Sequence, residues 1–236
     1  MKIVVVIPAY NEEQTVGDVV RSISMIHDSR SMIQTIVVDD GSSDKTAQVA
    51  RLAGAFVLRH PINRGLGAAL STGIAGALKL GADVMITLDG DGQHDPAEIP
   101  SLIAPIVKGE AEVVLGSRFM KTLKHENIKA LHNIPRHRQI ANLCGNLFTW
   151  LLFGIWVSDS QSGFRAFSAN AARQLRLRTS TMEVSSEIIR EIARLGLNMK
   201  EVPITVSYTK YSLSKGQGFF RGLQTLWKLI VLKFFR

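Results

Sequence analysis

Five short strand-like runs, separated by helical patterns, constrain this chain more than any other feature of it. They are Ile3–Ile7, Thr35–Val38, Ala55–Leu58, Val84–Leu88 and Glu112–Gly116. The first, second and fourth are continuous apolar or β-branched runs without polar alternation, the pattern of strands buried on both faces. Between them lie a helical period through Val16, Val19, Val20 and Ile23, a helix to about Ala53 with Ser43 as its N-cap, an Ala/Gly/Leu-rich helix to Leu80, and a helix from Pro96 to Val107. Strand and helix alternate at roughly 20–30 residues, which predicts an α/β fold: a mostly parallel sheet flanked by helices. A chain of 236 residues, 46% hydrophobic, can bury one full core.

In an open α/β sheet, ligands bind beyond the carboxyl ends of the strands. The first run leads into Pro8, Tyr10 and Glu12, the second into Asp39 and Asp40, and the fourth into Asp89-Gly90-Asp91-Gly92-Gln93. Residues i and i+2 of a strand point the same way, so Asp89 and Asp91 can converge on one hard cation, Mg²⁺ or Mn²⁺, which completes its shell with substrate phosphates. Three acidic edges around one crevice repel each other unless a cation or hydrogen-bond donors lie between them, and a metal-bound nucleotide satisfies all three. The G-x-G of Gly65-Leu66-Gly67 lacks a third glycine and reads as packing, and G-x-x-x-x-G-K-[ST] is absent.

Past Arg118 the rhythm breaks. Residues 121–138 are polar, basic and histidine-bearing, as in a loop over the sheet edge. An apolar segment from Gln139 to Val157 follows, then Asp159-Ser160-Gln161-Ser162-Gly163-Phe164-Arg165, a helix near Val184–Leu195 and a strand at Met199–Val206. In the tail, Phe219, Leu223, Leu226, Trp227, Ile230 and Phe234 share one helical face, with Arg221 and Lys228 opposite. That pattern predicts an interfacial helix lying on a bilayer surface, the alternative being a terminal helix packed on the core or on a dimer mate. The formal charge of +8 also suits an anionic partner. No apolar stretch reaches the length of a membrane span, so the expectation is a peripheral protein at the cytoplasmic face of the membrane. The single cysteine, Cys144, excludes an intramolecular disulfide and is expected to be core filler.

The strings P-A-Y-N-E-E, V-V-D-D-G-S-S-D-x-T, L-D-G-D-G-Q-H-D-P, G-S-R-F and D-x-x-S-G-F-R, in this order, resemble the family-2 glycosyltransferases with the GT-A fold. Within them the chain is most similar to the dolichyl- or polyprenyl-phosphate sugar synthases of the dolichyl-phosphate mannose synthase type. The match covers residues 3–215, leaving 216–236 as a C-terminal amphipathic helix. The resemblance implies that Pro8, Tyr10, Glu12, Asp39 and Asp40 hold the nucleoside of a GDP- or UDP-sugar. It implies that Asp89, Gly90, Asp91 and Gln93 hold the metal and diphosphate, and that Lys215 neutralises the diphosphate. Arg118, Arg138 and Asn142 fall where such enzymes grip a lipid phosphate.

The implied reaction is inverting displacement at the anomeric carbon. A lipid phosphate is largely ionised at pH 7 and needs no general base, so Asp159 would organise the site. With a hydroxyl acceptor, such as a polysaccharide or glycolipid, Asp159 would be the base. A non-catalytic lipid- or nucleic-acid-binding module explains the charge but not the clustered acids; nucleic acid is not the expected partner. His94 reads as structural, and Arg165 either pairs with Asp159 or caps its turn.

Overall fold

The computed structural model describes residues 1–26, 31–120 and 136–207. Seven strands form one sheet: β1 (Lys2–Ala9), β2 (Met32–Asp39), β3 (Phe56–Arg59), β4 (Val84–Thr87), β5 (Val113–Ser117), β6 (Arg165–Ser168) and β7 (Met199–Pro203). Their order across the sheet is β3-β2-β1-β4-β6-β5-β7. All neighbouring pairs are parallel except those made by β6, which runs antiparallel to both β4 and β5. The described helices are α1 (Val16–Ser24), α2 (Thr46–Leu52), α3 (Leu66–Lys79), α4 (Ile99–Val107), α5 (Arg136–Phe153), α6 (Ala169–Gln174) and α7 (Val184–Leu195). A 3₁₀ turn, Pro96–Glu98, precedes α4.

The unbroken apolar strands place alternate residues in two cores. Ile3, Val5 and Ile7 of β1, with Val84 and Ile86 of β4, pack against Val16, Val19, Val20 and Ile23 of α1 and Ile99, Leu102 and Ile103 of α4. Val4, Val6 and Met85 face the other way, onto Ala69, Leu70, Ile74 and Ala77 of α3 and Val184, Ile188, Ile189 and Ile192 of α7. Each fully buried aliphatic side chain contributes roughly 1.5–3 kcal/mol, so a polar residue at any of these positions would be excluded from both layers.

The short strand β6 and helix α6 have no counterpart in the sequence reading, and β6 decides where the site lies. Because it runs opposite to its neighbours, its beginning meets the ends of β4 and β5. Thr87 and Leu115 both pair with Arg165. The loop before β6 therefore arrives at the same edge as Asp89 and Arg118. Two smaller expectations also change. Lys45 rather than Ser43 stands at the N-cap position of α2, with no capping bond from its side chain, and it is the Asp44 carboxylate that accepts the Thr46 N–H, at 2.9 Å. Cys144 is exposed on α5 instead of filling the core.

Candidate active site

The acidic turn follows β4 directly. Thr87 Oγ1 donates to Gly163 O at 2.7 Å, and Thr15 Oγ1 donates to Gly90 O at 2.8 Å, which pins the turn from both sides. Continuing the β4–β6 register beyond the strand ends sets Gly163 opposite Asp89. The Asp89 carboxylate occupies the space that a Cβ on residue 163 would need. Gln93 donates to Asp91 through its backbone N–H, at 3.0 Å, and through its side-chain amide. His94 is buried on the Phe164 ring, 5.4 Å between centroids, with Nε2 3.6 Å from Asp89 Oδ2.

These surroundings drive the two carboxyls apart. The packing around Asp89 raises its pKa, although part of the side chain still faces solvent. Contact with His94 and the charges of His94, Arg165 and Arg118 outweigh that, and its pKa falls below the usual carboxylate range. Burial and then the negative charge of Asp89 push Asp91 upward, against the hydrogen bonds from Gln93.

A second charged cluster lies beside the turn. Arg118, after β5, grips Asp159 as a fork: Nε to Oδ2 at 2.6 Å and Nη2 to Oδ1 at 2.8 Å, with its backbone N–H 3.1 Å from Oδ2. Asp159 is buried. The loop carrying it is fixed from two directions. On β7, Glu201 accepts the Ser158 backbone N–H at 2.9 Å and its hydroxyl at 2.8 Å. From α5, Asn146 donates to Ser158 O at 2.7 Å and accepts the Ser160 N–H at 3.0 Å, so one amide brackets Asp159. Asn142 adds a 3.1 Å bond to Ser158 O. Arg165 does not pair with Asp159; its Nη2 donates to Ser160 O at 2.9 Å. Burial pulls the Arg165 pKa down to about 10, against the opposing charges of Asp89 and Asp159.

On the β1–β2 side, Tyr10 is exposed, and Glu12 is held by its backbone N–H to Thr46 Oγ1 at 2.8 Å. Asp39 and Asp40 are turned inward. Asp39 accepts the Ser42 N–H at 2.9 Å and lies 3.0 Å from Arg59 Nε. Asp40 contacts His60 Nδ1 at 2.6 Å and accepts the backbone N–H groups of Arg64 at 2.9 Å and Gly65 at 2.7 Å. The glycines of the G-x-G serve packing: Gly67 donates to Ser180 O at 2.8 Å, and a Cβ there would lie 1.9 Å from Thr179 O. That loop is in turn held by Glu187, which accepts the backbone N–H groups of Arg178 at 3.0 Å and Thr179 at 2.8 Å.

Comparison with known proteins agrees with this geometry. The family described as "Glycosyl transferase family 2" matches residues 4–176. The chain belongs to glycosyl transferase family 2. It is 35% identical to the UDP-N-acetylglucosamine–dolichyl-phosphate N-acetylglucosaminyltransferase of Methanococcus voltae, over 98% of this chain and 96% of that protein. It is 29% identical to the undecaprenyl-phosphate mannosyltransferase of Micrococcus luteus, over 92% of this chain and 88% of that protein. Among solved structures it resembles glucosyl-3-phosphoglycerate synthase from Mycobacterium tuberculosis in complex with Mg²⁺ and uridine diphosphate. The TM-score is 0.67 at 25% identity, covering 97% of this chain and 79% of that one. The protein is thus a glycosyltransferase of GT-A architecture, related to polyprenyl-phosphate sugar transferases.

Within this family-2 frame the expected residues divide into groups. Asp89, Gly90, Asp91 and Gln93 form one turn, and Arg118 and Asp159 form one ion pair beside it. Among the described residues, no three His, Cys, Asp or Glu side chains are gathered around one point. Two carboxylates that repel each other, one of them pushed toward its neutral form, fit a divalent cation whose remaining ligands come from phosphate and water. Gln93 meets Asp91 through its amide donor and so orients that carboxylate. Asn142 donates from its side-chain amide to Ser158 O. Arg138 lies in the first turn of α5, while its side chain, Lys215 and the tail from 219 fall outside the described residues. Asn146, Glu201 and Ser158 were not anticipated, because polar residues in an apolar helix and at a strand's end carry no motif of their own.

Proposed function

We propose that this glycosyltransferase transfers a sugar from a GDP- or UDP-sugar to a polyprenyl phosphate at a membrane surface, with inversion and with Mg²⁺ or Mn²⁺. The observation that carries the acceptor class is the state of Asp159. Its side chain is buried, and three N–H groups of Arg118 occupy its two oxygens. A carboxylate so buried and so tightly ion-paired is a poor base for an incoming hydroxyl, whereas an ionised phosphate needs no base. Asp159 binds the Nε–H and an Nη2–H of Arg118 and so aims the fork, a planar group of the kind that generally suits a phosphate oxygen.

The outer surface of α5 supports the lipid. Its buried face is polar, Asn142, Asn146 and Thr149, while Ile140, Leu143, Leu147, Trp150 and Leu151 are exposed. This inverted pattern leaves an apolar stripe on the outer face of the helix that braces the Asp159 loop, of the kind that marks an interaction site. No described helix is long and apolar enough to cross a membrane, so the reading is peripheral attachment. We assign Tyr10, Glu12 and Pro8 to nucleoside contact over walls fixed by Asp39 and Asp40, Asp89 and Asp91 to the metal, and Arg118, Arg138 and Asn142 to the acceptor side. Lys215 is assigned to the diphosphate, and 216–236 to the membrane helix. A cation bound by the two carboxylates would neutralise charge developing on the departing diphosphate.

The test is transfer from labelled UDP- and GDP-sugars to a short polyprenyl phosphate and to the matching polyprenol, with Mn²⁺, Mg²⁺ or chelator. The expected product is an acid-labile glycosyl phosphate, formed only from the phosphate and only with cation. Equal transfer to the polyprenol would refute the phosphate reading, and transfer in chelator would refute the metal.

A further inference from the structure

Arg165 is the charged group that the proposed chemistry leaves without a task. It opens β6 between Thr87 and Leu115, and it is 2% exposed. One Nη2 hydrogen bond goes to Ser160 O, Nε is buried without a hydrogen-bond partner, and the guanidinium makes no ion pair among the described residues. A buried cation left so open is costly unless nearby charge compensates it. The charges that act on it are those of Asp89 and Asp159. Asp159 is already matched by the Arg118 fork. The remaining charge is Asp89, whose carboxylate lies over Gly163, two residues before Arg165.

We propose that Arg165 is the internal counter-ion of the acidic turn and makes divalent-cation binding depend on the donor's diphosphate. Without donor, the fixed positive charge offsets Asp89 and lowers the attraction of the turn for a doubly charged ion. A diphosphate adds negative charge that both the cation and Arg165 attract, so the two ligands enter as a pair, and linkage makes their coupling reciprocal. The inference rests on the reading of Asp89 and Asp91 as the metal-holding pair. If Arg165 served only to tether Ser160 O, its loss would loosen the Asp159 loop and weaken every ligand alike.

The two accounts differ in sign. Calorimetry on the full chain would titrate Mn²⁺ alone, UDP or GDP alone with chelator, and Mn²⁺ with saturating nucleotide, for wild type, Arg165→Met and Arg165→Lys. Arg165→Met is expected to bind Mn²⁺ alone more tightly, on the order of tenfold for one unit charge acting through the protein, and to bind metal-free nucleotide more weakly by a similar factor. Arg165→Lys, which keeps the charge, should stay close to wild type in both. Arg165→Gln keeps a donor for Ser160 O and repeats the measurement if the methionine variant does not fold. Shifts in the same direction for both ligands, or no shift, would overturn the counter-ion. A wild-type protein that binds neither Mn²⁺ nor either nucleotide would instead bring down the metal–nucleotide reading itself, and the inference with it.

Discussion

Replacing Gly163 by alanine tests the acidic turn with a single methyl group. A Cβ at that position would lie 2.3 Å from Oδ1, 2.4 Å from Oδ2 and 2.5 Å from Cγ of Asp89. An ordinary carbon–oxygen contact is roughly 3.3 Å, so the carboxylate must move about 1 Å. Gly163 does not use a left-handed backbone, so alanine adds no strain of its own and the clash falls on Asp89. Overpacking typically costs about 1–3 kcal/mol. Asp89 is half-exposed and can swing toward solvent, which places the variant at the low end of that range. A displacement of about 1 Å in a reacting centre costs on the order of a hundredfold in rate. Gly163→Ala should therefore melt close to wild type while transfer falls about a hundredfold and Mn²⁺ affinity measured with nucleotide drops. Thermal melts, calorimetry and transfer assays on one preparation decide it. Wild-type transfer with unchanged Mn²⁺ affinity would show that the orientation of Asp89 over Gly163 does not matter to the chemistry.

Arg118→Lys keeps the charge but loses the fork to Asp159, so transfer should fall by about ten- to a hundredfold with donor affinity unchanged, measured as rate beside nucleotide Kd. Asn146→Ala removes both hydrogen bonds that bracket Asp159; Ser158 O keeps its bond from Asn142, but the buried Ser160 N–H loses its acceptor. A loss of about 1–3 kcal/mol in urea unfolding is expected, with a rise in acceptor KM. Burial raises the pKa of Glu191, but bonds from Arg194 and the Arg176 N–H, with the charges of Arg194 and Arg190, hold it below the ordinary value of 4.5. Its contribution is therefore present above that pH and lost as pH falls through the lowered folded value. Glu191→Gln should destabilise at pH 7 and progressively less in acid, read from urea midpoints across pH. Leu147→Glu with Trp150→Glu places two charges on the exposed stripe of α5 and should release the protein from polyprenyl-phosphate vesicles in flotation, with nucleotide binding intact.

The chain by itself determined the parallel part of the sheet and the acidic turn. Continuous apolar runs such as Ile3–Ile7 and Val84–Leu88 suit only strands covered on both faces. Asp89 and Asp91, spaced by one residue after such a run, fall at a strand's carboxyl end whatever else the fold does. The Val184–Leu195 helix was legible for the same local reason, an amphipathic period that the structure preserves with the same bounds. Partnership was not legible. Arg118 carries the same local signal whether it faces solvent, a phosphate or Asp159, and Asn142 reads as a polar break in an apolar helix whether it meets a ligand or Ser158 O. The contacts they make within the fold depend on β6, four residues with too little length to show a period, whose antiparallel insertion carries the Asp159 loop to the ends of β4 and β5. Local periodicity records how each segment buries its own side chains. Which charges meet depends on strand order and register, set by contacts among residues far apart in the chain, and that is why Gly163 lies opposite Asp89 and Arg165 beneath the turn.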